Sequence, residues 1–202
     1  MSSIILSGVI LAFGLILPLG IQNIFIFQQG AHQKSFLHAL PAVLTASVCD
    51  TILISLSVGG ISVLVLAHPV IETAISAAGV IFLLYMGVSI WKSQPVRQQT
   101  GERSDIKRQV IFTASVSLLN PHAILDTAGV IGSSSLQYED FDRLIFACSC
   151  IAVSWIWFFS LALAGRSFHK LDESGRVMEI LNKCSAVLVW GIAVSIFIRL
   201  IG

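Results

Sequence analysis

Asp50 and Asp126 are the residues of this sequence best placed to do chemistry. Each sets a carboxylate inside an apolar run long enough to cross a membrane. Such a group costs about 2.5–3.5 kcal/mol at the bilayer centre on insertion scales, so it is a functional-site candidate whose partner must be found. No lysine or arginine lies deep within the apolar runs to neutralise the pair; Lys183 and Arg199 stand at the two ends of the last run, Arg199 three residues from the C-terminus. The missing positive partner would come from outside the chain, as a proton, a metal cation or a cationic substrate. A hydrogen bond from Asp50 to Thr45, Ser47, Thr51 or another helix is the competing structural reading.

Asp126 closes the segment Leu119-Asn120-Pro121-His122-Ala123-Ile124-Leu125-Asp126, and a related segment, Leu17-Pro18-Leu19-Gly20-Ile21-Gln22-Asn23, lies 103 positions earlier. They align as Pro-x-x-Ile-x-Asn/Asp, matching Pro18 with Pro121, Ile21 with Ile124 and Asn23 with Asp126. A proline inside a helix removes a hydrogen bond and clashes with the carbonyl four residues back. Gly20 adds backbone freedom, so residues 17–23 are expected to unwind or kink, and Pro121 should break the later helix in the same way. In a bilayer the freed N–H and C=O groups must find partners in protein, water or substrate. Gln22, Asn23 and Asn120 supply uncharged donors and acceptors beside the breaks. His122 could relay protons or bond to the loosened backbone. A plain proline kink explains either break alone. Two interrupted helices at matching places in two halves point instead to a transporter's binding site.

Composition sets the medium in which these residues work. The 202 residues are 55% hydrophobic and 11% charged, with mean hydropathy +0.88. A soluble domain carries about 25% charged residues, so this stock cannot cover a water-exposed surface. The chain reads as an all-α integral membrane protein, and its net charge of +1 gives no reason to expect nucleic acid as a partner. Met1-Ser2-Ser3 lacks the basic start of a secretory leader, so the first apolar segment is expected to remain as a spanning helix. Cys49, Cys148, Cys150 and Cys184 lie in or at the ends of apolar segments and read as packing residues. Cys148 and Cys150 would point to nearly opposite sides of a helix and could not share a metal. No nucleophile–base pair, phosphate loop or zinc-ligand spacing appears, so no enzyme, cofactor or resident metal is expected.

Six stretches reach the length of about 20 residues that a span needs: 4–27, 38–60, 70–91, 110–132, 144–165 and 180–201. They form one transporter domain, 1–202, with a first repeat over about 1–92, a basic loop over about 92–109 and a second repeat over about 110–202. Cytoplasmic loops carry the excess of Lys and Arg. Lys34 lies in the first loop, Lys92, Arg97, Arg103, Lys107 and Arg108 in the third, and Arg166, Lys170, Arg176 and Lys183 in the fifth. The odd loops are therefore expected in the cytoplasm and both termini outside. Three helices per half give the halves opposite topology, so the expected fold is six helices in two inverted three-helix repeats, with helices 1 and 4 broken. Glu72, just after Pro69, reads as a helix-start carboxylate facing water. Trp155, Trp157, Phe158 and Phe159 could offer a face to a cation, although aromatics on an apolar helix more often pack.

Taken together, Pro18-Leu19-Gly20-Ile21-Gln22-Asn23, Gln29-Gly30, Asp50, Leu119-Asn120-Pro121-His122 and Asp126-Thr127 resemble the LysE-type lysine/arginine exporter family, most nearly its arginine-exporter branch. The likeness covers essentially the whole chain. It departs at Ile21, where the family pattern usually has proline before the Gln-Asn pair, so a milder distortion is expected there. The resemblance implies a bacterial inner-membrane exporter of basic amino acids driven by the membrane potential or proton gradient. More distant relatives export homoserine or threonine, and others handle cadmium.

The reading that follows is export of arginine or lysine by alternating access. The substrate's α-carboxylate would meet the half-helix N-termini after Pro18 and Pro121. Loosened carbonyls with Gln22, Asn23 and Asn120 would take its α-ammonium, and Asp50 and Asp126 would hold the cationic side chain or exchange it for a proton. Expected partners are the amino acid, protons and the bilayer, with a homodimer among the assemblies left open. The rivals are a neutral amino-acid exporter, a divalent-metal exporter using Asp50, Asp126, Cys49 and His122, and a channel.

Overall fold

The computed structural model describes residues 1–17, 20–33, 35–60, 69–92, 106–169 and 176–201. Pro18 and Lys34 fall outside these, as do the side chains of Glu72, Pro121 and His122. The described chain is helical throughout, with short turns and no strand among the described residues. Its elements are α1 (Ser2–Ile16), α2 (Ile21–His32), α3 (Phe36–Val58), α4 (Pro69–Lys92), α5 (Ile106–Leu118), α6 (Pro121–Asp126), a π-helical stretch (Thr127–Gly132), α7 (Ser133–Ser135), α8 (Asp140–His169) and α9 (Arg176–Ile201).

Two of these, Phe36–Val58 and Asp140–Phe168, are individually long and apolar enough to cross a membrane. The consecutive helices α1 and α2, bent by 81°, make a third span if taken as one. Helix α8 starts earlier than the apolar stretch 144–165 because Asp140 and Asp142 occupy its first turn, where carboxylates complement the positive end of the helix.

The side-chain pattern is that of a bilayer-embedded bundle. On α3 the large residues Leu44, Val48, Ile52 and Leu56 recur every four positions and are exposed. Its inward face carries Ala39, Ala42, Ala46, Ser47 and Cys49, all buried. Helices pack closely in lipid when small residues let their backbones approach, while large apolar groups face the acyl chains. Hydroxyls on these helices return to their own backbone: Ser47 donates to the Val43 carbonyl at 2.9 Å and Thr51 to that of Ser47 at 2.7 Å. That satisfies them where no water is at hand.

Two close crossings fix the frame around the breaks. Helices α2 and α8 approach so nearly that a Cβ on Gly30 would lie 2.0 Å from the Ala162 carbonyl oxygen, and one on Gly165 would lie 2.0 Å from that of Phe27. Helix α4 packs along α9, where a Cβ on Gly87 would meet the Trp190 indole nitrogen at 2.1 Å. The Trp190 ring stacks on Trp91 with centroids 5.6 Å apart.

Candidate functional site

The first break is narrower than the 17–23 that the sequence suggests. Leu17 keeps helical angles and donates to the Phe13 carbonyl at 3.0 Å. Gly20 is extended, with φ −69° and ψ 170°. Its carbonyl accepts the Ile24 N–H at 3.1 Å, so the helix restarts at Ile21. Gln22 and Asn23 therefore stand in the first turn of α2 rather than on unwound chain. The Asn23 amide donates to the Ile16 carbonyl at 2.6 Å, one of the carbonyls that a helix end leaves without a helical partner. Trp157 of α8 in turn donates from Nε1 to Asn23 Oδ1 at 3.3 Å.

The second break is built differently. Helix α5 ends at Leu118, and α6 begins on Pro121 itself. Proline is tolerated at a first helical position because its missing N–H would have no helical partner there. Asn120 accepts the Ile124 N–H at 3.1 Å and so starts the new helix. From Thr127 to Gly132 the coil widens to a π-helix, a form that is rare and frequent at functional sites.

A cavity of about 300 Å³ lies between the breaks. Its lining includes Gly20, Gln22, Asn23, Asp50, Asn120 and Asp126, together with apolar walls from Ile16, Leu83 and Phe158. The structure thus brings together all five side chains that the sequence marks for substrate, drawn from α2, α3, α6 and the α5–α6 junction. Asp50 is held from two helices: Ser154 Oγ donates to Oδ2 at 2.8 Å, and Gln22 Nε2 approaches Oδ1 at 3.5 Å. Among the described residues the lining holds no lysine or arginine.

Other marked residues lie elsewhere. Cys49 is buried but not part of the lining, and among the described residues no three His, Cys, Asp or Glu side chains come together as a metal site. The aromatic group of α8 divides its work. Trp155 donates to the Thr51 hydroxyl at 3.0 Å and stacks on Phe159, Trp157 holds Asn23, and only Phe158 reaches the cavity wall.

Sequence reasoning passed over Ser154 and Leu83, which also line the cavity with Thr127 and Phe158. For Ser154 a signal exists: shifted by the 103 residues that relate the prolines, it coincides with Thr51, the neighbour of Asp50.

Comparison with known proteins gives the same class. The LysE type translocator family matches residues 13–200. YisU of Bacillus subtilis (strain 168), whose name assigns it to amino-acid transport, is 59% identical over 190 residues, covering 94% of this chain and 86% of its own. The arginine exporter protein ArgO of Pectobacterium atrosepticum is 34% identical over 201 residues, covering 97% of each chain. ArgO of Serratia proteamaculans is 31% identical over 204 residues, again covering 97% of each. No solved structure matches at a significant level. With a membrane-embedded helical fold and a family match over nearly its whole length, the chain belongs to the LysE type translocator family and is a transporter, not an enzyme.

Proposed function

We propose that this protein exports a basic L-amino acid, arginine or lysine, across the bacterial inner membrane by alternating access, coupled to the proton gradient or membrane potential. The observation that carries the reading is a cavity lined by two carboxylates and, among the described residues, no lysine or arginine, set between two interrupted helices. Its volume is at the lower edge of small-molecule sites, roughly 300–1,000 Å³, which suits a single amino acid. The substrate's α-carboxylate is assigned to the start of α2, where the helix end is electropositive. Its cationic side chain lies along Leu83 and Phe158 toward Asp50 and Asp126. The names of the ArgO relatives favour arginine.

Everted membrane vesicles test this, because export appears as uptake. Labelled arginine should accumulate saturably and respond to an imposed proton gradient. In the same vesicles Asp126→Asn should reduce arginine uptake about 10-fold or more, since a hydrogen bond to a charged group is worth about 1.5–3 kcal/mol, and should leave a neutral analogue less affected. Equal loss for both would assign Asp126 to proton coupling or structure. Uptake of a neutral amino acid in preference to arginine would overturn the basic specificity.

The same proposal includes six spans in two inverted repeats. Helix ends support it: α2 ends at His32 and α7 at Ser135, which are related by the 103-residue shift. Contacts support it as well. Asp50 meets Ser154, Thr51 meets Trp155 and Gly87 meets Trp190, each pair 103 or 104 positions apart. Equivalent residues touch in this way where a two-fold axis passes between them. Single cysteines at Ser2 and Gln99, in a background without the native four, test the orientation. A membrane-impermeant maleimide on intact cells should label position 2 and spare position 99; the reverse would invert the topology.

A further inference from the structure

From the cavity outward, α2 and α5 meet in successive layers. Ile21 and Val116 share one buried apolar cluster at the cavity end. One turn on, the rings of Phe25 and Phe112 lie 4.4 Å apart. A further turn on, Gln109 Nε2 donates to Gln29 Oε1 and also to the His38 carbonyl at 3.2 Å, so that one buried amide ties α2, α3 and α5 together. Gln33 adds a second donor to Gln29 Oε1 at 3.1 Å. The opposite side of the breaks is arranged otherwise. There Ala12, Leu15 and Ile16 of α1, and Ala123, Thr127 and Ile131 of α6 and the π-stretch, line the cavity, with Ala12 and Ile131 in one buried apolar cluster and neither a ring nor a side-chain amide among the six. On the proposed repeat these two half-helix pairs are equivalent, yet the α2–α5 pair carries rings and amides in contact beyond the cavity, whereas residues along the other pair line it.

We infer that the α2–α5 zipper is a gate, with Phe25–Phe112 as its apolar seal and Gln29–Gln109 as its polar latch, and that the structure represents the state closed at that end. The inference rests on the transport reading above. In sequence Gln33 is followed by Lys34 and Gln109 closes the basic 92–109 segment, both of which the charge rule puts in the cytoplasm. This is therefore the end that must open for a substrate to load before export. Latching through two neutral amides suits that task. A neutral hydrogen bond contributes only about 0.5–1.5 kcal/mol net, so it can be exchanged for water in each cycle, and no charge is left unpaired when it opens.

The test is a Gln29→Cys/Gln109→Cys pair in a background lacking the native cysteines, treated in everted vesicles with a short bifunctional methanethiosulfonate. Crosslinking should form in high yield, lower arginine uptake to less than about a tenth of the untreated rate, as for a lid held shut, and be reversed by a reducing agent. Crosslinked protein that still transports would overturn the gate, and so would a transporting pair that never crosslinks. Failure of the substrate reading looks different: the uncrosslinked protein would take up no arginine. In that event spin labels at the same two positions in proteoliposomes decide, because a gate gives two distance populations and a single short one overturns it.

Discussion

Asp50→Asn should abolish transport while the protein still reaches the membrane at its normal abundance. Removing an intramembrane charge relieves an insertion cost of about 2.5–3.5 kcal/mol, so biogenesis has no reason to suffer. Transport does on the proposed reading, in which the replacement deletes the partner of a desolvated cation, and breaking such a pair costs about 3–5 kcal/mol. At 1.4 kcal/mol per tenfold, that is at least about 100-fold. The structure separates this effect from loss of position. Ser154→Ala removes the 2.8 Å hydrogen bond to Oδ2 and leaves the charge. A hydrogen bond to a charged acceptor is worth about 1.5–3 kcal/mol, so its loss should fall below that of Asp50→Asn. Uptake by everted vesicles at matched abundance reads both. Wild-type rates in Asp50→Asn would remove this carboxylate from the site.

Gly165→Ala should strip the protein from the membrane rather than slow it. The added methyl would sit 2.0 Å from the Phe27 carbonyl oxygen and 2.9 Å from its carbon. The obstacle is backbone, which cannot rotate aside, so α2 and α8 must separate. Overpacking a close-packed contact typically costs about 1–3 kcal/mol, and in lipid the packing lost here is itself what holds two helices together. Gly14→Ala is the matched control, because its Cβ would meet nothing within 4 Å and alanine favours a helix by about 1 kcal/mol over glycine. Steady-state abundance and thermal stability in detergent should fall for the first and hold or rise for the second. Equal behaviour of the two would mean that α2 and α8 do not cross as tightly as described.

The breaks and the carboxylates were legible in the sequence because a membrane interior tolerates neither without cause. Pro121 and Asp50 stand out against apolar neighbours, and their chemistry would be unremarkable in water. The bracing of the site was not legible. Ser154 and Trp157 are ordinary residues of an apolar helix, and what makes them matter is which residue of another helix they reach. Their partners, Asp50 and Asn23, are 104 and 134 positions away. The width of the first break was overestimated because proline and glycine mark where a helix fails, whereas its restart depends on the Gly20 carbonyl finding the Ile24 N–H. The π-stretch after Asp126 has no composition signal of its own. What the structure adds is its place, packed against α3.

The crossing of Gly87 with Trp190 bears on ancestry. The two positions are separated by the same 103 residues as the two prolines, so in a chain grown from two copies of one unit they descend from a single site. Today one copy has no side chain there and the other has the largest. The space that Gly87 leaves is the space that the indole fills, within 2.1 Å of where a Cβ would stand. Two tryptophans facing each other would collide, and two glycines would leave a void. On the proposed repeat the two halves would have become lock and key to one another, and neither could rebuild this contact by pairing with a duplicate of itself. A chain that arose by fusing two such units would find that step hard to reverse, because each half now fits only the other at this site.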